Sequence, residues 1–288
     1  MNYFAELKIA YDKMLADVNK ETVANFVDIA QLCFKTKTPT HLRCLVSKLY
    51  EEEKDSIILD HGCGGGLTAL FLISNGFRNT FGVDVGTKKT IDLLNKIISF
   101  EPVNLKEKRF FIYDGVKLPM RTESVNLCYS QQVIEHLTNE DFAAFFEEEQ
   151  RVLVPGGLAL HQVPHRLNPY DSHTSTYFIH WFPRSTQKWL YIWQKKNPDY
   201  VLNMLYLRWP WVIKKYAKKA NFYFSDETIE RLQNSINDTN FYENYDGNKT
   251  LRILVGNLLK NMILGGLFLK IASKLAMRDY VLKKGNPQ

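Results

Sequence analysis

The chain has 288 residues, 45% hydrophobic and 24% charged, which excludes a disordered or low-complexity protein and fits one large domain or one domain with a sizeable insertion. A formal net charge of +6 permits an anionic partner, yet no dense basic patch or reader motif for nucleic acid accompanies it, and the run from Lys214 to Lys219 reads as a solvated helix face. The four cysteines, Cys33, Cys44, Cys63 and Cys128, lack zinc or redox spacing, so a reducing compartment and no metal are expected.

The opening residues MNYFAELKIAYDKM hold early acidic groups and no long apolar stretch, unlike a signal peptide. Residues 1–50 read as helices, with Phe4, Leu7, Met14, Leu15 and Val18 at helical spacing, a second run from Val23 to Phe34 and a third from His41 to Tyr50. They form a helical lead-in placed to cap a cleft. Short buried strands then alternate with helices: strands at Ser56–Asp60, Thr80–Val83, Arg109–Tyr113, Val125–Tyr129 and Leu158–Gln162, the last entered by a Pro155-Gly156-Gly157 turn. Thr138 and Asp141 are spaced as a capping box. Such alternation predicts an α/β fold, a Rossmann-like parallel sheet covered by helices. From His165 to about Asn221 the alternation fails, and the Pro-, His- and aromatic-rich stretch reads as an inserted lid. Ser225 is expected to cap a helix reaching Ser235, and further strands are expected at Asn240–Tyr245 and Asp279–Lys283.

The strongest chemical signal is ILDHGCGGG, Ile58 to Gly66, running from a strand into a helix. Glycine lets backbone approach a ligand where a side chain would block it, and open α/β sheets bind ligands at this edge. By composition the loop serves NAD, FAD, S-adenosylmethionine (SAM) or nothing. Asp84 lies about twenty residues on, closing the second strand, where a carboxylate accepts hydrogen bonds from ribose hydroxyls. It could instead cap a helix. Asp114-Gly115 closes the third strand, as an adenine contact or as a plain turn.

The ordered set resembles the class I SAM-dependent methyltransferases over roughly residues 54–163. Asp60-His61-Gly62-Cys63-Gly64-Gly65-Gly66 resembles their DxGxGxG motif; Phe81-Gly82-Val83-Asp84 their acidic second strand; Tyr113-Asp114-Gly115 their adenine segment; Val133-Ile134-Glu135-His136-Leu137 their "V-x-E-H-L"; and Arg151-Val152-Leu153-Val154-Pro155-Gly156-Gly157 their "R-x-L-x-P-G-G". The resemblance implies SAM as cofactor. It assigns the methionine part to Asp60, Gly62, Cys63, Gly64 and Gly66, the ribose to Asp84, the adenine to Asp114 and Gly115, and the methyl-donor end to Tyr129, Ser130 and Gln131. Asn126 departs from the usual Asp, keeping size and an acceptor but removing the charge.

An oxygen acceptor also needs its proton removed, a task suited to histidine. The candidates are His136, His161, His165, His173 and His180. The last three lie in PHRLNPYDSHTSTYFIHWFPR, which resembles a segment of methyltransferases from bacterial cell-surface sugar and lipid pathways, with Asp171 in place of their Glu. Asp171 and His173 could form an orienter and base, with His136 the rival catalytic site. Arg166 or Arg184 could meet a phosphate or carboxylate, and Tyr170, Tyr177, Trp181 and Phe182 could stack on sugar or isoprenoid faces. Equally, these side chains could simply pack the lid.

No segment reads as a membrane span. Residues 203–219 and 251–276 look interfacial; Arg252, Lys260, Lys270 and Lys274 fall on a narrow stripe of an apolar helix that could lie on anionic lipid, pack on the sheet or meet a second copy as a homodimer. The expected layout is a 1–50 cap and a SAM-binding domain over 51–288, with the lid at 165–221. The expected activity is O-methylation of a sugar, glycolipid, lipid-linked sugar or other small molecule. The expected place is the cytoplasm, at the inner membrane face if the helix binds lipid. The rivals are an isoprenoid-quinone or lipid methyltransferase and a catalytically silent SAM-binding scaffold.

Overall fold

The computed structural model describes residues 3–36, 42–49, 54–171, 173–237 and 264–285. In chain order the elements are α1 (Tyr3–Ala16), α2 (Lys20–Thr36), α3 (Arg43–Leu49), β1 (Ile58–His61), α4 (Leu67–Ser74), β2 (Thr80–Asp84), α5 (Lys88–Ser99), β3 (Phe110–Ile112), β4 (Val125–Gln131), α6 (Asp141–Val152) and β5 (Leu153–Val163). There follow β6 (Tyr170–Asp171), β7 (Thr176–Tyr177), α7 (Arg184–Trp193), α8 (Pro198–Met204), α9 (Pro210–Lys219), β8 (Phe222–Asp226), α10 (Thr228–Asn237), α11 (Leu264–Leu275) and β9 (Arg278–Lys284). Seven strands order as β3-β2-β1-β4-β5-β9-β8, and β6 and β7 make a separate antiparallel ribbon. The central pairs β1–β2, β1–β4 and β2–β3 are parallel, with Asp60 opposite both Gly82 and Tyr129. This is the expected Rossmann-like α/β fold, because βαβ crossovers place parallel strands side by side and helices on their faces.

The chain divides into two compact units: Met1–Ser130 with Glu147–Leu160 and Lys283–Gln288, and Gln131–Phe146 with His161–Leu282. In the first, α4 is apolar all round and buried from Ala69 to Ser74, whereas α5 buries only Ile91, Leu94, Ile97 and Ile98. Helices α1 and α2 fold into this same unit. Gln31 Nε2 on α2 donates to Ser74 O at 3.0 Å, and Phe34 packs on Phe71 with ring centroids 5.9 Å apart. The Tyr11 hydroxyl of α1 donates to the carbonyl of Gly65.

The second unit has a small core of Ile179, Tyr191, Val201 and Leu205. Gln131 Nε2 donates to Gln162 Oε1 at 2.9 Å, Gln162 Nε2 donates to Asp279 Oδ1 at 3.0 Å, and Asp279 pairs with Arg231. The Lys214–Lys219 run lies on α9 with its lysines exposed.

Two expectations are corrected. Ser225 caps nothing: Phe222-Tyr223-Phe224 carries β-favouring aromatics and extends as β8, and Asp226 Oδ1 instead accepts the Thr228 N–H, at 3.1 Å, ahead of α10. The Pro155-Gly156-Gly157 segment is not a turn before a strand but part of β5; Gly156 takes φ +79, and a Cβ on Gly157 would lie 2.9 Å from Val154 O and 3.0 Å from Asn126 O, so only glycine lets the chain pass. The strand expected at Asn240–Tyr245 lies outside the described residues, as does the first half of the 251–276 helix. Its second half is α11.

Candidate active site

The glycine loop follows β1 directly. Gly62, Gly64 and Gly66 sit at φ +83, +51 and +79, left-handed conformations that tax any other residue. A Cβ on Gly66 would press to 2.7 Å from Leu94 of α5, so the third glycine brings two helices together. A Cβ on Gly64 would meet nothing within 4 Å, which leaves that turn of backbone facing open space. Asp84 ties the loop down: Oδ2 accepts the Gly64 N–H at 2.8 Å and Oδ1 accepts the Gly86 N–H at 2.7 Å. Each carboxylate oxygen keeps a second lone pair for another donor.

Asp60 is buried at 4% exposure and accepts the Ala69 N–H in the first turn of α4, so it braces the helix that follows the loop. Burial pushes its carboxyl up to about 7. Cys63 is buried, and its N–H and that of Gly62 are both spent on Val83 O. Asp114 Oδ1 accepts from Val116 and Lys117 N–H at 2.9 and 2.8 Å, hydrogen bonds that hold its carboxyl below the usual range, and Gly115 follows at φ +82. That is an Asx turn, the plainer of the two sequence readings. Tyr129 and Ser130 are buried at the end of β4.

In the second unit β4 runs on into a single helical turn, Ile134–His136. Arg208 clamps it, donating to Ile134 O at 3.0 Å, Leu137 O at 2.7 Å and Thr138 O at 2.9 Å, while its guanidinium lies 3.9 Å from the Phe142 ring centroid. Tyr206 N donates to Glu135 O at 2.6 Å. The backbone that presents Glu135 and His136 is therefore rigidly held.

Glu135 is 1% exposed, and neither carboxylate oxygen has a hydrogen-bond partner. Burial pushes its carboxyl up to about 8. His173 Nε2 stands 3.6 Å from Glu135 Oε1, beyond hydrogen-bond reach, and His173 Nδ1 lies 3.2 Å from Asp171 Oδ1. The Asp171 hydrogen bond raises the His173 pKa against the opposing effect of burial. Burial would raise the Asp171 carboxyl, but bonds from His173 and Thr174 outweigh it and hold the group low. His136 packs edge-on to His173, ring centroids 5.0 Å apart, with its Nδ1 2.8 Å from Met204 O; burial lowers its pKa.

The structure thus brings together His136, His173 and Asp171 and adds Glu135. His165, His180 and His161 are spent elsewhere. His165 Nε2 donates to Ala276 O at 2.8 Å, His180 Nε2 donates to Asn168 O at 2.6 Å, and His161 packs on Phe145 and Phe146. Burial drives His165 down to about 4 and lowers His180. Arg184 is likewise occupied, donating to Leu202 O and Leu205 O.

Residues 59–161 match a family described as a methyltransferase domain. The chain carries a methyltransferase domain. No curated protein matches it in sequence. Among solved structures, a SAM-dependent methyltransferase from Mesorhizobium loti superposes with TM-score 0.50 at 13% identity, covering 86% of this chain and 99% of that one. The geranyl diphosphate C-methyltransferase of Streptomyces coelicolor A3(2) gives 0.50 at 12% identity, covering 90% and 81%. Phosphoethanolamine N-methyltransferase 2 of Haemonchus contortus gives 0.47 at 15% identity, and this chain, 96% covered, spans 60% of its length. At these identities the likeness is one of fold.

SAM is the cofactor of the methyltransferase domain, and the loop fits it: three left-handed glycines, open space beyond Gly64 and an acceptor-bearing Asp84 at the end of β2. Asn126 Oδ1 accepts the Ile57 N–H at 2.9 Å, so the acceptor, not the charge, is what that position supplies. SAM carries two positive groups against one negative. An ionised Asp60 beside the cofactor would favour it, and protonation of Asp60 would remove that attraction. SAM affinity of the methyltransferase domain should therefore fall by up to about tenfold between one pH unit above and one below the Asp60 value of about 7. Calorimetry checks this, and a flat affinity across that window in folded protein would refute it.

The network His61–Glu149, 2.8 Å, and His61–Tyr113, 3.0 Å, escaped the sequence reading, as did Glu135. The sequence showed Glu135 as a charge set into the apolar run Val133-Ile134-Glu135-His136-Leu137 and as the E of the "V-x-E-H-L" resemblance, but gave it no role.

Proposed function

We propose that the protein transfers the SAM methyl group to an oxygen of a small-molecule acceptor, a sugar, glycolipid or lipid-linked sugar, with His173 taking the acceptor's proton and Asp171 orienting the ring. The observation that carries this reading is the 3.2 Å contact between His173 Nδ1 and Asp171 Oδ1 beside buried Glu135. SAM supplies a methyl already activated on sulfonium, so the protein's part is alignment and proton removal. Asp171 fixes the tautomer that leaves Nε2 as the basic atom. Tyr170, Tyr177, Trp181 and Phe182 are each more than 40% exposed and offer flat faces to a sugar or isoprenoid. Arg166 gives one terminal N–H to Phe182 O at 3.1 Å, whereas Arg184 spends both terminal nitrogens on Leu202 O and Leu205 O, so of the two arginines Arg166 is the one left for a phosphate or carboxylate.

The test is turnover of labelled SAM against sugar, glycolipid and quinol acceptors, with the methylated atom located by mass spectrometry. Methylation of a hydroxyl is expected. SAM binding without transfer to any acceptor would return the protein to a silent binding role, and methyl on carbon or nitrogen would overturn the oxygen assignment.

A second reading, a membrane-bound or isoprenoid acceptor, has its own observation. Helix α11 exposes Leu267, Phe268, Ile271 and Leu275, alongside exposed Lys270 and Lys274. No helix among the described residues is long and apolar enough to cross a membrane. Lying in the interface suits such a helix, since lysine stems reach the headgroups and each adds about 1 kcal/mol on anionic lipid. The protein should float with anionic vesicles at low salt and less with neutral ones. Absence of flotation on anionic vesicles would assign the face to protein instead.

A further inference from the structure

We propose that Glu135, His136 and His173 form a binding site for one divalent transition-metal ion of the zinc class, built to hold an oxygen donor of the acceptor. One ligand atom from each of the three residues lies within 4.8 Å of the other two, a separation that a single ion can bridge. The second observation is the carboxylate of Glu135. It is 1% exposed, both oxygens lack any hydrogen-bond partner, and the nearest cationic candidate, His173 Nε2, stands at 3.6 Å. A buried carboxylate left without donors lacks a counter-charge, and an ion between it and the two rings supplies one.

The histidines are prepared in the way metal ligands are. His136 Nδ1 faces Met204 O at 2.8 Å; a carbonyl only accepts, so Nδ1 carries the hydrogen and Nε2 the lone pair. His173 Nδ1 faces Asp171 Oδ1 at 3.2 Å with the same consequence. Asp171 is itself fixed by Thr174 Oγ1 at 2.6 Å and by the His173 N–H at 3.1 Å. Backbone carbonyl on one ring and carboxylate on the other are the usual partners that orient ligating imidazoles. The presenting backbone is clamped by Arg208 and Tyr206, and His136 is exposed, which gives an ion a way in.

Two imidazoles and one carboxylate suit zinc, iron or cobalt better than magnesium or calcium, which prefer all-oxygen shells. Three protein ligands leave coordination positions for an outside oxygen, so a hydroxyl or phosphate oxygen of the acceptor would complete the shell. This rests on the methyl-transfer reading only for the acceptor oxygen; it replaces the proton-accepting role of His173 Nε2 with that of a ligand, and the site itself does not depend on that reading. The cysteine pattern pointed to no metal, and none of these ligands is a cysteine.

The full chain, stripped with a chelator and dialysed, should take up one equivalent of Zn2+ by calorimetry, and one of Co2+ with visible bands of nitrogen coordination. Glu135→Gln and His136→Ala should each weaken uptake by about 100-fold or more, and Asp171→Asn by about 10–100-fold through the ring it orients. His136 is exposed, so its variant keeps the test alive should the buried Glu135 variant misfold. A stripped wild type that takes up neither ion overturns the site, as does uptake that both ligand variants leave unchanged. Methyl transfer by stripped, metal-free protein would leave the methyltransferase reading standing while removing the ion from it.

Discussion

Replacing Asp84 by alanine should weaken SAM binding by about 30- to 150-fold, the loss expected when a charge-assisted pair worth about 2–3 kcal/mol is removed. The structure gives this residue one task, and the expected ribose contact adds a second. Its oxygens hold Gly64 and Gly86 in place, at 2.8 and 2.7 Å, and their remaining lone pairs would accept from ribose hydroxyls. Losing the side chain frees the left-handed turn at Gly64 as well as deleting the ribose contact, so binding should suffer in enthalpy and in loop ordering together. Asp84→Asn separates the two: its single carbonyl oxygen can retain one backbone N–H but not both, so an intermediate loss is expected. Isothermal calorimetry on folded variants measures it. An unchanged dissociation constant for Asp84→Ala would end the ribose assignment.

What was legible beforehand follows from how local each feature is. The glycine loop, Asp84 and the alternating strands are written in stretches of ten residues or fewer, where period, glycine and a closing carboxylate speak for themselves. The histidines show the opposite case. His165, His173 and His180 sit in one motif-like segment with similar neighbours, yet only His173 meets His136; the others are spent on backbone carbonyls of Ala276 and Asn168. Which histidine is free depends on where residues 204, 168 and 276 come to lie, and spacing along the chain does not carry that. Glu135 was hidden for the same reason, since a carboxylate in an apolar run looks alike whether paired or orphaned. At β8 the aromatic run Phe222-Tyr223-Phe224 outweighed the capping signal of Ser225 because sheet pairing, which a local reading cannot see, rewards it.

Replacing His173 by alanine should lower methyl transfer by about 10²- to 10⁴-fold, the range that proton transfer by a positioned side chain contributes. SAM affinity should stay nearly as it was, because the contacts that fix the glycine loop and the backbone beside it are made by other residues: Asp84 on Gly64 and Gly86, Tyr11 on Gly65. The fall should therefore appear in turnover rather than in SAM binding. Asp171→Asn should give a smaller loss, since it weakens the contact at His173 Nδ1 without removing the ring. Two companion measurements decide what the imidazole does. If Nε2 takes the proton directly, His136→Ala and chelation leave most of the rate, and added imidazole restores part of the activity of His173→Ala. If Nε2 holds an ion, then His136→Ala, Glu135→Gln and chelation each bring the rate down as far as His173→Ala does, and imidazole restores nothing to chelated protein. Folded His173→Ala with full turnover would remove the residue from the reaction under either account.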